Sequence, residues 1–417
     1  MTAEEQVRDS IDHLFRHQAG QMVSVLARKF GVANIDLIED SVQDAMIAAM
    51  KKWPYSGLPE NQLAWLIQTA KNRVIDQLRR SAKSDSIEAA EIAVAQEGGD
   101  ETRFEGELSE DQIRMMFACC HPDVPADSRV ALTLKIVGGF SVAEIARAYL
   151  AKDDAIAKML TRAKQKLRPL DLEIPGGREL SERLDSVLRV LYLMFNEGYS
   201  ASEGSDLVRR DLCQEAIRLV RILLDHHVTS QPKTYALSSL FLFQAARLRT
   251  RSNAAGDLLL LADQDRSLWD HTLIGAGLED FRRAASGDEL SDYHLEAEIA
   301  SIHALAPDYA STDWRRILSC YDVLLQQRFS PVVALNRNVA IGEVLGPKQA
   351  LDELSELGKN YLMTSFNLFH IIRGHFLAAS GQFGDAVVSY KRSAELTKNE
   401  SVLRFIRRKL AMLELQR

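Results

Sequence analysis

Hydrophobic residues recur at every third or fourth position along most of the 417-residue chain, and runs that alternate with a period of two are hard to find. A spacing of three to four residues places apolar side chains on one face of a helix, whereas alternation would indicate a strand. In 35–53 and 63–80, apolar residues follow the helical spacing and polar residues occupy the opposite face. We therefore predict an all-α fold built from amphipathic helices.

An acidic stretch interrupts this pattern. Between Ser84 and Asp111, ten acidic residues accompany one basic residue, and a pair of glycines (Gly98 and Gly99) lies within the stretch. Such a segment repels itself and has little apolar surface to bury. We predict an acidic linker over 84–105.

A second interruption lies near 168–180, where four residues break the helical pattern: Pro169, Pro175, Gly176 and Gly177. The predicted modules are 1–83, 106–170 and 178–417. Within the last module, the segment GHFLAASGQFGDAVVSYKRSA spaces small and aromatic residues as a tetratricopeptide unit does: Gly374, Gly381, Phe383, Ala386, Tyr390 and Ala394. We predict a tetratricopeptide-like helical domain over 178–417, with a plain helical bundle as the alternative.

The segment AWLIQTAKNRVIDQLRR (64–80) combines basic residues, an asparagine and a tryptophan on one helix. Its predicted core face consists of Leu63, Ile67, Ala70, Val74 and Leu78. Its outward and flanking positions are Trp65, Asn72, Arg73, Asp76, Arg79 and Arg80. Cations can neutralise phosphates, an aromatic ring can stack on a base, and an amide can bond to a base edge. The alternative is that Trp65 packs on a neighbouring helix while the charges only face water.

The preceding segment, 35–53, carries a polar and mainly acidic ridge on the face opposite its predicted core. The ridge consists of Glu39, Asp40, Gln43 and Asp44. This ridge could contact a basic partner surface, or it could simply be solvated.

The segment 141–168 has the pattern of a helix-turn-helix. It begins with a capping box formed by Ser141 and Glu144, and a break near 151–153 separates a short helix from a longer one. The longer helix has a polar, basic face: Lys158, Thr161, Arg162, Gln165 and Lys166. A helix-turn-helix presents such a face to the major groove of DNA, although two helices with a basic face also occur in ordinary bundles.

These motifs, in this order, resemble sigma factors of the extracytoplasmic-function (ECF) type, which are specificity subunits of bacterial RNA polymerase. EDSVQDAMIAAMKKW resembles sigma region 2.2, AWLIQTAKNRVIDQLRR resembles regions 2.3–2.4, and RVALTLKIVGGFSVAEIARAYLAKDDAIAKMLTRAKQKLR resembles region 4. The phrases FACCHPD, NEGYSAS, DQDRSLWD and SPVVALNRNVAIGEV are similar to the subgroup with a tetratricopeptide-like extension.

The resemblance implies a role for each motif. The ridge residues would bind the β′ coiled coil of the polymerase core, which also includes the β subunit. The outward residues of 64–80 would contact the −10 element, and those of the helix-turn-helix would contact the −35 element of promoter DNA. Trp65 matches the first of a tryptophan pair in housekeeping sigma factors, and Leu66 occupies the second position, which predicts stringent promoter choice because one aromatic wedge is missing.

The family pattern also bears on two other features. In the family, the segment that corresponds to the acidic linker threads toward the polymerase active centre; a solvated tether is the alternative. Asp153 and Asp154 open the predicted recognition helix, where carboxylates near phosphates are unfavourable, although Asp is a good N-cap. Base contacts therefore shift toward Lys158, Arg162 and Gln165.

Composition places the chain among globular proteins, with 46% hydrophobic and 26% charged residues and a net charge of −7. No apolar run is long enough to span a bilayer, and the polar N-terminus is unlike a signal peptide. Four cysteines without a C-x-x-C spacing do not suggest disulfides. We expect a cytoplasmic protein that has no membrane partner.

No known catalytic or nucleotide-binding motif is recognisable, so we predict that the chain is not an enzyme and needs no cofactor. The Cys119-Cys120-His121 cluster suits a tetrahedral metal site poorly, because no second pair supplies further ligands. DQDRSLWD (263–270) could bind a ligand or form a buried ion-pair network at a helix junction.

We predict a sigma factor whose C-terminal domain regulates it through a protein partner or a ligand. One alternative is a stand-alone DNA-binding regulator, which would bind duplex DNA tightly without polymerase. Another is a scaffold or enzyme in which 178–417 performs the main activity.

Overall fold

The computed structural model describes residues 18–85, 105–149, 151–199, 209–253 and 257–415. These residues form helices, and the one extended pairing among them is an isolated bridge between Ser252 and Leu258. The all-α prediction is therefore confirmed. The chain divides into two compact units, Met1–Leu193 and Met194–Arg417. Most of the predicted acidic linker (86–104) lies outside the described residues.

The first unit begins with a helical stretch over 18–30 and a short 3₁₀ turn at Val32–Asn34. Its helices are α1 (Ile35–Ser56), α2 (Gln62–Asp85), α3 (Glu105–Cys119), α4 (Ala126–Ile136), α5 (Val142–Tyr149), α6 (Asp153–Leu167) and α7 (Gly177–Tyr199). The division between the units falls inside α7. The prolines and glycines near 168–180 thus precede the start of a helix. The division between the two compact units lies between Leu193 and Met194, later in the chain than the boundary predicted at 178.

Helices α1 and α2 pack against each other through their apolar faces. The face predicted for α1 is buried, including Ile38, Val42 and Met46. The face of α2 is rotated from the prediction, because Leu66 is fully buried while Leu63 and Ile67 are partly exposed. Ala70 and Val74 are buried as predicted, so the buried face is shifted by less than one residue, which would turn the helix by about 100°.

Helices α5 and α6 form the helix pair that the sequence predicts. The capping box is present: the Glu144 backbone N–H donates to Ser141 Oγ at 3.2 Å, and the Ser141 backbone N–H donates to Glu144 Oε2 at 2.9 Å. In α6, the predicted apolar face is buried: Ile156, Leu160, Ala163 and Leu167. The N-cap position of α6 is Lys152, which makes no side-chain cap bond. Asp153 and Asp154 occupy the first turn of α6, where their negative charge interacts favourably with the positive end of the helix dipole.

The second unit is a series of helices. They are α8 (Arg210–Asp225), α9 (Pro232–Ala246), α10 (His271–Ala284), α11 (Asp292–Leu305), α12 (Trp314–Gln327), α13 (Pro331–Leu345), α14 (Pro347–Leu357), α15 (Tyr361–Thr364), α16 (Asn367–Ala379), α17 (Phe383–Glu395) and α18 (Glu400–Glu414). Consecutive helices pack on each other in most of this series, notably α9 on α10, α12 on α13 and α16 on α17.

The α16–α17 pair shows why small residues are needed. Gly374 faces the ring of Tyr390, and an added Cβ would lie 3.0 Å from that ring. Gly381 turns the chain between the two helices with φ of +75°, a conformation that disfavours other residues. Tyr390 and Ala386 are buried. The predicted close approach of two antiparallel helices at this segment is thus present.

Candidate nucleic-acid and polymerase interfaces

The outward side of α2 combines an aromatic pair with polar side chains. Trp65 is partly exposed and packs edge-on against the buried Trp53, with ring centroids 5.4 Å apart. The ammonium of Lys52 lies 5.8 Å from the centre of the Trp65 ring. The ring is therefore anchored on a neighbouring helix and is still partly exposed, and its contact with a base stays a prediction.

Further along α2, Asn72, Asp76, Arg79 and Arg80 are exposed. Asn72 accepts a hydrogen bond from Gln68 Nε2 at 2.9 Å, so its amide is held on the helix surface. Arg73 is paired with Asp44 of α1 at 2.6 Å. The proposed −10 residues and the ridge are therefore linked by an ion pair, and the α2 surface carries partly compensated charge.

The resemblance aligns Leu66 with the second tryptophan of housekeeping sigma factors. The Leu66 side chain is fully buried. A larger aromatic residue at this position would have to displace core neighbours. Leu66 is therefore part of the core of this chain, and the stringent promoter choice inferred from this position stays a prediction.

The four ridge residues of α1 do not share one environment. Asp40 and Gln43 are exposed, and Asp44 is partly exposed and paired with Arg73. Glu39, in contrast, is 7% exposed. Its carboxylate lies within an ion-pair cluster, and it does not face open solvent.

The cluster around Glu39 joins α1 to residues far along the chain. Lys135 Nζ of α4 lies 3.4 Å from Glu39 Oε1, and Lys164 of α6 pairs with both Glu39 and Asp36. Arg168, just after α6, also pairs with Asp36. We call these five residues the α1–α6 ion cluster.

Electrostatics in the α1–α6 ion cluster favour the charged forms. Burial raises the pKa of Asp36, but hydrogen bonds and charge from Arg168 and Lys164 outweigh it and hold the pKa below its usual range. Burial likewise lowers the pKa of Lys164, but Glu39 and Asp36 together raise it above its usual value. Asp36 and Lys164 are therefore charged near neutral pH.

Two further contacts join the same parts of the first unit. Arg28 Nη1 lies 3.1 Å from the buried carboxylate of Asp111 in α3. Gly20 lies so close to the chain at Val137 that an added Cβ would overlap the Val137 carbonyl. The helices of 18–85 and those of 105–168 are thus packed directly against each other.

The opposite face of α6 is open. All five side chains proposed for the −35 element are exposed: Lys158, Thr161, Arg162, Gln165 and Lys166. Thr161 donates its hydroxyl proton to the carbonyl of Ala157 at 2.8 Å, which leaves its oxygen available as an acceptor. The two sides of this helix therefore differ, since Lys164 points to α1 while Lys166 points to solvent.

Sequence reasoning missed the other members of the α1–α6 ion cluster, namely Asp36, Lys135, Lys164 and Arg168. Two spacings offered a weak signal: Asp36 and Glu39 are three residues apart, and Lys164 and Arg168 are four apart, so each pair shares a helical face. Nothing in the sequence says that those two faces meet.

The Cys119-Cys120-His121 cluster is a packing feature. Both thiols are buried, and burial raises the pKa of Cys119 well above its usual value and that of Cys120 to about 12. Protonated thiols are poor metal ligands. Within the described part of the chain, no group of three His, Cys, Asp or Glu residues is arranged to hold a metal ion.

The segment 263–270 forms helix caps and carbonyl contacts. Asp270 accepts hydrogen bonds from two backbone N–H groups at the start of α10, and Asp265 caps a 3₁₀ turn. Arg266 donates to the carbonyls of His303 and Ala306, both at 2.7 Å. The segment does fix a helix junction, but with hydrogen bonds to carbonyls in place of the expected ion pairs.

Comparison with known proteins places these surfaces in a family. The chain is 36% identical over 396 residues to an uncharacterized protein of Rhizobium meliloti (strain 1021), and the alignment covers 94% of this chain and 92% of the relative. Residues 14–84, which include α1 and nearly all of α2, match the model of sigma-70 region 2. The chain belongs to the sigma-70 family. In this sigma factor, residues 183–285 match a second model, described as a family of unknown function (DUF6596).

A sigma factor acts in transcription initiation with RNA polymerase core and promoter DNA, and it is not itself an enzyme. The region 2 match covers the ridge of α1 and the outward residues of α2. Among the described residues, no helix is both long and apolar enough to cross a membrane.

Proposed function

We propose that this sigma factor is of the ECF type and directs polymerase core to promoters through two DNA-binding surfaces. The observation that carries the proposal is the exposure of all five polar residues of α6 while its apolar face is buried. The helix is therefore fixed on its scaffold and leaves a basic surface free for the major groove. The outward side of α2 would bind the −10 element, with Trp65 against an exposed base and Asn72 at a base edge.

Polymerase binding would use the ridge of α1. Asp40 and Gln43 are accessible in the structure, whereas Glu39 is covered by Lys135 and Lys164. For Glu39 to contact the β′ coiled coil, the helices of 105–168 must move off α1. Binding to polymerase and separation of the −35 and −10 modules are therefore coupled in this proposal.

The second unit would regulate the factor as a tetratricopeptide-like domain. Close packing of α16 on α17 through Gly374 and Tyr390 supports this assignment, since small residues permit the tight pairs of such repeats. Repeats of this type generally serve in binding, which supports a regulatory partner or ligand.

The test is run-off transcription with purified polymerase core on a library of genomic fragments. We expect the full chain to yield discrete transcripts and a shared upstream sequence. Substituting Lys158 and Arg162 by alanine should abolish most of this output, whereas Arg178→Ala, an exposed arginine outside both surfaces, should leave it unchanged.

Two outcomes would contradict the proposal. Failure of the chain to bind core polymerase would exclude a sigma role. Tight, sequence-specific binding to duplex DNA without polymerase would favour a stand-alone regulator instead.

A further inference from the structure

The second unit encloses a cavity that the proposed promoter and polymerase surfaces do not use. Its volume is about 530 Å³, within the range of pockets that bind small organic molecules. Aromatic side chains from several helices line it, including Phe243, Trp269, Trp314, Tyr321, Tyr390 and Phe405. An apolar body of a ligand would therefore be well accommodated.

One wall of the cavity is cationic. Arg247 lines it and donates to Gln244 Oε1 at 2.8 Å, and its guanidinium lies 5.6 Å from the centre of the Tyr199 ring. Arg251 lies 3.7 Å over the same ring and donates to the Tyr199 carbonyl. Within the described residues, neither arginine forms an ion pair with a carboxylate. Arg247 therefore presents to the cavity a guanidinium that is not paired with a carboxylate among the described residues, and such a group can bind an anion.

Polar atoms near this wall also lack partners. Among the described residues, the buried indole N–H of Trp269, which lines the cavity, has no hydrogen-bond partner. His303 lines it as well, and its Nδ1 has no partner. Buried polar groups are normally satisfied, so these groups call for an acceptor that is supplied from outside the chain.

The cavity lining also contains a carboxylate. Glu343 lines the cavity, and its carboxylate accepts a hydrogen bond from the Tyr309 hydroxyl at 2.8 Å. A ligand with a single anionic end would therefore be oriented, with that end toward Arg247 and away from Glu343. A dianion with charges at both ends would be disfavoured by repulsion.

We propose that this cavity binds a small organic monocarboxylate, with the carboxylate at Arg247 and an aromatic or aliphatic body among Phe243, Trp269 and Trp314. The planar guanidinium matches the two oxygens of a carboxylate, and the aromatic walls match an apolar body. Binding itself depends only on the second unit. The further proposal, that a ligand in this cavity alters transcription, rests on the proposed sigma function.

Binding is tested with the full chain and the fluorescent aromatic sulfonate 1-anilinonaphthalene-8-sulfonate as probe. The probe is then displaced by phenylacetate or octanoate, and by the neutral 2-phenylethanol and the cationic 2-phenylethylamine as matched controls. We expect one high-affinity probe site, and displacement by the carboxylates at concentrations at least about tenfold lower than by the neutral or cationic compounds.

Three variants locate the site. Arg247→Gln should weaken probe and phenylacetate binding about tenfold or more, since a charge-assisted bond is lost. Arg282→Gln, which changes an exposed arginine on α10, should have no effect. Ala262→Trp adds bulk at an exposed position of the cavity lining and should block binding. Circular dichroism melts of each variant establish that it is folded.

Equal displacement by all four compounds, or undiminished binding in the folded Arg247→Gln variant, would overturn the proposal. The same compounds are then added to the run-off transcription assay. A change in transcript yield that is lost in Arg247→Gln would support regulation. If phenylacetate binds but transcript yield does not change, the binding site is supported and only its regulatory role is overturned. If the chain binds phenylacetate but does not support transcription with polymerase core, only the sigma assignment is overturned.

Discussion

Replacing Lys164 by alanine should loosen the packing of α6 on α1. Lys164 is 15% exposed and pairs with Glu39, which is 8% exposed, and with Asp36. Its removal leaves the Glu39 carboxylate with Lys135, whose ammonium lies 3.4 Å away. Breaking a buried pair costs about 3–5 kcal/mol, and because Lys135 and partial solvent access offset part of this cost, we expect about 2 kcal/mol.

Hydrogen–deuterium exchange measured by mass spectrometry on the full chain checks this value. A loss of about 2 kcal/mol corresponds to roughly thirty-fold faster exchange by opening, since 1.4 kcal/mol is a factor of ten. The acceleration should appear in α1 and α6 peptides. Lys166→Ala is the matched control, because Lys166 lies on the same helix and is exposed.

The same variant should respond to pH in a defined way. The folded-state pKa of Asp36 is lowered, so its contribution is present above its unfolded pKa and is lost as the pH falls through the folded value. The pKa of Lys164 is raised, so its contribution is present below its unfolded pKa and is lost as the pH rises through the folded value. The effect of Lys164→Ala should therefore be equal at pH 6 and pH 8.

The reasoning would be refuted if Lys164→Ala and Lys166→Ala exchanged at the same rate. A second readout concerns polymerase. Because Glu39 is covered in the packed arrangement, Lys164→Ala should bind polymerase core at least as tightly as the unaltered chain. Weaker binding would show that packing against α6 does not compete with polymerase.

Three further predictions follow from single side chains. Arg162→Ala should weaken binding of the holoenzyme to −35 DNA by about 1–3 kcal/mol, measured by titration with promoter fragments, whereas a loss below about 0.3 kcal/mol would place the base contacts elsewhere on α6. Burial, with the charges of Arg247 and Arg266, lowers the pKa of His303 to about 3. Neutral His303 therefore contributes to the stability of the second unit above about pH 6.5, and this contribution falls by up to about 1.4 kcal/mol for each pH unit below that. Urea denaturation at pH 5 and pH 7 should show that His303→Leu removes this pH-dependent part of the free energy of unfolding. An added Cβ at Gly342 would overlap the Phe376 ring, so Gly342→Ala should destabilise the second unit by about 1–3 kcal/mol. At Gly275 a Cβ meets no atom within 4 Å, so Gly275→Ala should be neutral or stabilising. Equal effects of the two variants in thermal melts would contradict the packing of Gly342 on Phe376.

Features that depend only on residues close together in the sequence could be predicted. The capping box of Ser141 and Glu144, the buried face of α6 and the close helix pair around Gly374 all follow from spacings within one or two helices. Local hydrogen bonds and helical periodicity act over a few residues, so the amino-acid order alone specifies them. The order of the three motifs likewise suggested the sigma-70 family, which the comparison supports.

Tertiary structure alone decided which faces meet. Lys164 and Lys166 are the same residue type two positions apart in the sequence, yet one is partly buried against Asp36, 128 positions away, and the other faces water. The aromatic residues of the cavity gave no sign of enclosing a space beside Arg247 and Arg251. Periodicity fixes the direction of a side chain relative to its own helix axis, but the choice of the helix that covers it depends on the packing of distant segments, which only the folded chain specifies.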